Sequence, residues 1–275
     1  LIFFLLAILE FLKNQKTFKE IYIWKNLIYL ILSSYISPNF SVFVVFFFFH
    51  YLQRINYDKI IYFVIFCLIS SVPALYYLFV LDINFLTAGT PGIEKNESIG
   101  LDINMSNKIL IISSIVFFHL IPFIINKNFF KEVKKIINKN VIIYTAIFLI
   151  INIFFFDYIL NFTGGGVFFQ LSQYTFGNNL IFYFFCFISL ITLFYFINNN
   201  MNNFLILLLL IISNIQNTIY HKYYDPLILI LFFTLFNTSF SKLFLNTKKI
   251  FYYLYSFYGV FIFMRIFKNY INLNI

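Results

Sequence analysis

Charge is what this sequence has least of. Only 11% of its 275 residues are Asp, Glu, Lys or Arg, against about a quarter in a soluble domain. A chain so poor in charge cannot clothe a water-soluble fold. Cysteine is scarce as well: Cys67 and Cys186 are the only two, and both lie in apolar runs. Buried thiols fit that placement and a disulfide framework does not. The three histidines, His50, His119 and His221, stand far apart along the chain. No His, Cys and carboxylate set has metal-ligand spacing, so neither a metal nor a cofactor is expected. Tryptophan occurs once, proline five times and glycine eight times. No Gly/Ser/Pro-rich linker and no internal repeat divides the chain, so residues 1–275 read as one integral membrane domain.

Apolar bulk is what the sequence has most of. Hydrophobic residues make up 62% of it, with 44 Phe and 21 Tyr. In a bilayer every backbone polar group needs an internal partner, which leaves helices as the comfortable solution. The fold class is therefore all-α, a polytopic transmembrane helical bundle. The excess of Phe, Ile, Asn, Lys and Tyr also indicates an AT-rich genome. That bias multiplies chance Asn-x-Ser/Thr matches, such as those at Asn96, Asn104 and Asn161. The first residue, Leu1, already lies in an apolar run. We read the chain as a fragment lacking its N-terminus, with a non-standard start codon as the alternative. No small-residue cleavage site follows the first run, so a signal peptide is not expected.

Apolar runs fall at about 1–12, 21–36, 39–53, 60–80, 108–125, 141–156, 179–197, 203–219, 226–240 and 250–267. Counting each as a crossing predicts about nine complete spans plus a partial first one. The break at Ser37-Pro38-Asn39 can be a hairpin between two spans or a kink in one. Charge decides between them. With a hairpin, the segments 13–25, 54–59, 126–140, 198–202 and 241–249 share one face and hold most of the 19 basic residues. The opposite face collects Asp82, Glu94, Glu97, Asp102, Asp157 and Asp225. The basic face is then cytoplasmic. Topology thus accounts for the net charge of +9, and no nucleic-acid partner is implied.

Three outer segments carry the candidate functional groups. The acids Asp82, Glu94 and Glu97 flank turn chemistry at Ala88-Gly89-Thr90-Pro91-Gly92; they are a solvated loop, or a base or cation site. Asp157 opens the second segment. Gly164, Gly165 and Gly166 come after it and can let a ligand approach the main chain. Gln170, Gln173 and Tyr174 share a face if 167–175 is helical, or belong to an interfacial helix. The third segment, 213–226, is the most polar run inside the apolar body. Gln216, Asn217, Tyr220, His221, Lys222 and Asp225 crowd there before Pro226. Lysine suits an oxyanion and histidine can donate a hydrogen bond or proton. Asp225 can orient either of them, or simply pair with Lys222. Tyr220, Tyr223 and Tyr224 fit an aromatic belt at the membrane boundary.

This last stretch, Tyr-His-Lys-Tyr-Tyr-Asp-Pro at 220–226, resembles the Arg-Tyr-Phe-x-x-Pro run of the GT-C superfamily. These are polytopic glycosyltransferases using lipid-phosphate sugars, and the likeness is to their dolichol-phosphate-glucose α-1,2-glucosyltransferase branch. The Pro73 run, the 81–107 loop and Ile121-Pro122-Phe123 are similar to the middle of such enzymes. The resemblance implies transfer of a sugar from a polyprenyl-phosphate donor at the outer face. It implies only His221 and Lys222, as contacts to the lipid phosphate; apart from the resemblance, Gln216 and Asn217 can bond sugar hydroxyls and Tyr220 can stack on a sugar ring. The acidic base of that family lies in a first outer loop that has no counterpart in 1–275. Partners are then membrane lipid and the lipid-linked donor. The compartment is the bacterial inner membrane, or else the endoplasmic reticulum or mitochondrial inner membrane. Two alternatives remain. One is a divergent organelle-encoded structural subunit of a respiratory membrane complex. The other is a transporter, disfavoured by the few charges within the apolar runs.

Overall fold

A computed structural model describes residues 1–55, 57–80, 104–125, 127–159, 164–198, 200–214, 216, 218–237 and 248–273. Among them there is no β-strand, as the apolar runs require. Twelve α-helices and two 3₁₀ turns make up the described fold. Helix α1 (Ile2–Thr17) turns through Phe18, in the left-handed region at φ 57°, into α2 (Ile21–Ile36). The two run antiparallel. Asn26 Nδ2 donates to the Ala7 carbonyl across 2.7 Å, and Asn14 Nδ2 to the Lys19 carbonyl across 2.9 Å.

Proline ends α2 and reverses the chain. Ser37 is extended, and Pro38 opens a 3₁₀ turn over Pro38–Phe43 that leads into α3 (Val44–Leu52). Phe4 packs on Phe40 and Phe43, and Phe11 packs on Phe46 and Phe47. Helix α3 therefore runs parallel to α1 and antiparallel to α2. The Pro38 break is a hairpin, the alternative that the basic residues favoured. At its base Glu20 pairs with Lys59, and the Arg54 guanidinium sits 5.2 Å from the Phe18 ring centroid. Segments 13–25 and 54–59 thus share one end. From there α4 (Tyr57–Phe79) rises beside α2, with Trp24 against Phe63 and Phe66.

The centre of the remaining chain is α5 (Met105–Ile124). Asn104 caps it by accepting from the Ser106 and Asn107 amides. Buried positions occur all round this helix, Leu110 to Phe118 without a gap, as expected of a helix apolar on every face. After α6 (Lys127–Ile136) come α7 (Lys139–Phe154), α8 (Gly166–Phe176), α9 (Leu180–Ile197), α10 (Met201–Ile212), α11 (Asp225–Thr234) and α12 (Lys248–Leu273). Of these, α7 to α12 all pack on α5. Helix α9 lies parallel to α5, with Cys186 Sγ donating to the Leu110 carbonyl and Ser189 Oγ to the Ser113 carbonyl. Small residues at that seam let the backbones close up. Within the Lys-rich 126–140 segment, counted above as a connection between runs, Lys127–Ile136 forms α6. Val133 is buried while Lys131, Lys134 and Lys135 stay exposed, a one-sided pattern at helical spacing.

Two interruptions bring polar backbone into this packing. The first is the glycine turn before α8. Gly165 and Gly166 have φ of +92° and +77°. The Gly165 amide donates to the Ile219 carbonyl at 2.9 Å. A Cβ on Gly164 would stand 2.6 Å from that same carbonyl oxygen, and one on Gly166 would stand 2.9 Å from Ile115 Cγ1. The glycines admit another piece of this protein, where the sequence suggested approach by a ligand. The second interruption is 213–224. The start of α10 and the residues after α11 are tied together: Asn203 donates to the Asn237 carbonyl and accepts from the Asn237 amide. Helices α10 and α11 therefore form a hairpin whose tip is 213–224.

That hairpin corrects the expected span count. Three described helical stretches are long and apolar enough to cross a membrane: Asp58–Tyr76, Met105–Ile124 and Leu180–Ile197. The 203–219 and 226–240 runs, each expected to cross, yield helices of 12 and 10 residues. At about 1.5 Å per residue such helices fall well short of a hydrocarbon core of about 30 Å. The hairpin also moves 213–226 away from where the sequence put it. The tip packs near His119, roughly 21 Å along α5 from Met105 at about 1.5 Å per residue. It lies inside the bundle, well away from the end where the 81–107 segment joins.

Two measurements check this arrangement. Gly166→Ala lowers thermal stability in detergent by more than Gly177→Ala. Both residues have positive φ, costing about 1–2 kcal/mol for a side chain, but a Cβ on Gly177 meets nothing within 4 Å; equal losses contradict the packing described. Cysteines replacing Lys16 and Asp58, both exposed, are labelled from one side of sealed vesicles. Labelling from opposite sides contradicts the α2–α3 hairpin.

Candidate functional site

The hairpin tip carries two ionisable groups to a third one on α5. His119 lies in the C-terminal half of α5 with its side chain fully buried. Its Nε2 is 3.1 Å from Asp225 Oδ1, and its Nδ1 is 2.5 Å from the Tyr258 hydroxyl on α12. His221, in a 3₁₀ turn over His221–Tyr223, places its own Nε2 2.8 Å from the same Asp225 Oδ1. The two imidazoles face each other, with centroids 5.1 Å apart and planes 28° apart. One carboxylate oxygen thus sits between two rings.

Local sequence explains the placement. Pro226 fixes the first turn of α11 and lacks the amide a preceding turn would need. Asp225 therefore stands at the start of α11, where the helix dipole favours a negative side chain. His221 is four residues earlier, and the 3₁₀ turn points it back toward Asp225. Phe118, next to His119, packs edge-on to the His221 ring at 5.0 Å; Phe257 and Phe261 pack on Phe118. The walls are aromatic and apolar. One side stays open: the Asp225 side chain is 39% exposed, against 15% for His221.

The two contacts to Asp225 differ in kind. The His119 contact is a hydrogen bond. With the carboxylate ionised, Nε2–H donates to it and the Tyr258 hydroxyl donates to Nδ1. The His221 contact is short, yet its N–H direction misses the oxygen. Both His221 ring nitrogens are buried without a hydrogen-bond partner among the described residues. We take the 2.8 Å separation as a close approach of two polar atoms and not as a bond.

Of the residues the sequence singled out, the fold brings together His221 and Asp225. Lys222 is exposed beside them, with its amine 4.9 Å from the Tyr220 ring centroid, a cation–π distance. Gln216 is half-buried and its backbone N–H donates to Asn214 Oδ1. Asp157 lies elsewhere: it accepts from Asn104 and Asn107 at 2.8 and 2.7 Å and ties the start of α5 to the end of α7. It borders an open groove of about 520 Å³ with Asn104–Ser106 and Phe154–Phe156. Gln170 donates to the Gly164 carbonyl and Gln173 to the Asn179 side chain. The predicted helix is there as α8, and these two glutamines brace its ends. Asp82, Glu94, Glu97 and Asn217 lie outside the described residues.

Two members of the cluster escaped the sequence reading. His119 had a signal, being an ionisable residue inside a long apolar run. Tyr258 had none, as one tyrosine among 21. Spacing along the chain also hid the potential ligand set. His119 and Asp225 are separated by 106 positions, yet His119, His221 and Asp225 each offer one donor atom within 4.8 Å of the others. Tyr258→Phe tests the geometry. It leaves a buried imidazole nitrogen without its hydroxyl, which costs about 1–3 kcal/mol. Thermal unfolding in detergent should show that loss, and an unchanged midpoint contradicts the contact.

No family model, no curated protein and no solved structure matches this chain.

Proposed function

We propose that this chain is a multi-pass membrane glycosyltransferase that takes a sugar from a polyprenyl-phosphate donor, with the donor phosphate at the tip of the α10–α11 hairpin. Three long apolar helices support the membrane setting, as do the exposed apolar residues along α4, α7 and α12. In this reading α2, α3 and α7 cross as well, with the bilayer thinned around them. The α10–α11 pair enters and leaves on one side. The setting is the bacterial inner membrane.

One observation carries the chemistry: the exposed Lys222 directly follows, along the chain, the histidine whose ring meets the Asp225 carboxylate. A point-charge ammonium suits a phosphate oxyanion. In the transfer, the acceptor hydroxyl oxygen bonds to the sugar C1. The C1–O bond to phosphate breaks, the phosphate leaves with its electron pair, and the hydroxyl proton is lost to water. Charge grows on the leaving phosphate, so a fixed cation speeds the step. Reconstituted full-length protein, given radiolabelled polyprenyl-phosphate glucose or mannose, should transfer label to endogenous glycan acceptors. Lys222→Ala should cut that rate by about 10²–10³ with folding unchanged. Undiminished transfer in the variant removes Lys222 from the site; no transfer by the wild type from either donor removes the reading.

A second reading, a transporter, draws on a different observation. The glycine turn at 164–166 and the non-helical residues 218–220 meet beside the interior of α5. Interrupted helices that converge on ionisable groups are how secondary transporters build their sites. Movement of an unaltered solute into sealed vesicles, lost in Asp225→Asn, would select this reading over transfer.

A further inference from the structure

We propose that His119, His221 and Asp225 together hold one divalent transition-metal ion, with zinc the best match to the donor set, and that an open coordination position accepts a phosphate oxygen of the donor. The phosphate half of this rests on the transferase reading; the ion itself does not.

The separations are close to those of ligands around one centre. Nitrogen and oxygen ligands sit about 2.0–2.2 Å from zinc, which puts neighbouring tetrahedral ligand atoms about 3.3–3.6 Å apart. The two imidazole nitrogens lie 2.8 and 3.1 Å from Asp225 Oδ1, so a shift of a few tenths of an ångström in each side chain makes room for the ion. The remaining edge is no wider than 4.8 Å, and a small rotation of the His221 ring closes it. The His221 contact is the telling one. A buried nitrogen 2.8 Å from a carboxylate oxygen, with no hydrogen bond along the line, is unfavourable by itself. A cation between them turns the same approach into two bonds.

The surroundings fit a metal centre as well. Metal-bound histidines usually donate their second N–H to an oxygen, which fixes tautomer and ring angle. His119 has that oxygen in Tyr258, 2.5 Å from Nδ1. The shell is otherwise aromatic, from Phe118, Phe257 and Phe261. The open side lies at Asp225, whose side chain is 39% exposed, so the three protein ligands leave room for a fourth. Two imidazoles and one carboxylate suit zinc and its borderline neighbours better than magnesium or calcium, which prefer all-oxygen shells. The ion also resolves a charge conflict in the proposed function. An ionised Asp225 repels a donor phosphate, whereas an Asp225-bound dication attracts it.

The test uses purified full-length protein in detergent, stripped with chelator and titrated with Zn²⁺ and, separately, Co²⁺. We expect one equivalent of Zn²⁺ per chain by elemental analysis, a visible Co²⁺ absorption band, and a raised Tm with Zn²⁺. His119→Ala and His221→Ala should abolish all three, while His50→Ala keeps them. Lys222→Ala should keep the ion and lose transfer. The wild type alone can overturn the proposal, by binding less than one equivalent. So can binding that survives the double variant His119→Ala/His221→Ala, which marks an adventitious ion only. Stoichiometric metal with no transfer from either donor leaves the site standing and sinks the transferase reading. Transfer without metal does the reverse, leaving a proton-sharing His–Asp–His group.

Discussion

A single carboxylate oxygen, Asp225 Oδ1, holds three parts of this protein in register. From the start of α11 it grips the central helix α5 through His119, and through the His119–Tyr258 contact it reaches α12, while His221 of the hairpin tip approaches the same oxygen. Buried ionisable groups cost several kcal/mol each unless they are paired. A bundle of apolar aromatic side chains slides easily, because many arrangements bury similar area. A polar contact has one satisfying geometry. Asp225 therefore fixes where the tip of 213–224 sits in a way that the surrounding phenylalanines cannot.

The rest of the packing makes room for that contact. The unwound tip needs main-chain partners inside the bundle, since unpaired backbone groups there are costly. The glycine turn supplies one, with the Gly165 amide on the Ile219 carbonyl, and Tyr158 another, its hydroxyl accepting from the Ile219 amide. Asn203 and Asn237 close the hairpin at its other end. Asn104, Asn107 and Asp157 lock the start of α5 to the end of α7. Several of the asparagines that a biased composition made look incidental, Asn104, Asn138, Asn200 and Asn203 among them, brace helix ends. Among the described residues, His119, His221 and Asp225 gather at the tip.

Composition and charge carried the helical class and the Pro38 hairpin, because both arise from local rules. Proline cannot continue a helix, and lysines collect on one face. The α10–α11 hairpin was not legible in that way. Its two apolar runs look like spans until the helices are seen to be only 12 and 10 residues long. Helix α10 stops at Ile212, where the polar stretch begins, whereas α11 starts at Asp225 as expected and ends at Thr234, short of the end of its apolar run. The site was half visible. His221 and Asp225 share one polar stretch and drew notice. His119 stood alone among apolar neighbours, and only the fold shows what it faces. The reading of Gly164–Gly166 as a ligand approach went astray for a related reason: glycine signals close approach without saying by what.

The claim everything else depends on is that His119 and Asp225 bear on one another across 106 positions of sequence. A double-mutant cycle measures this directly, with His119→Ala, Asp225→Ala and the pair compared by reversible unfolding in detergent. Residues in one buried polar network show coupling of about 0.5–3 kcal/mol. The account predicts a coupling near or above about 1 kcal/mol, with the double variant losing clearly less than the sum of the singles. Losses that add to within about 0.3–0.5 kcal/mol, as for distant independent sites, would contradict it.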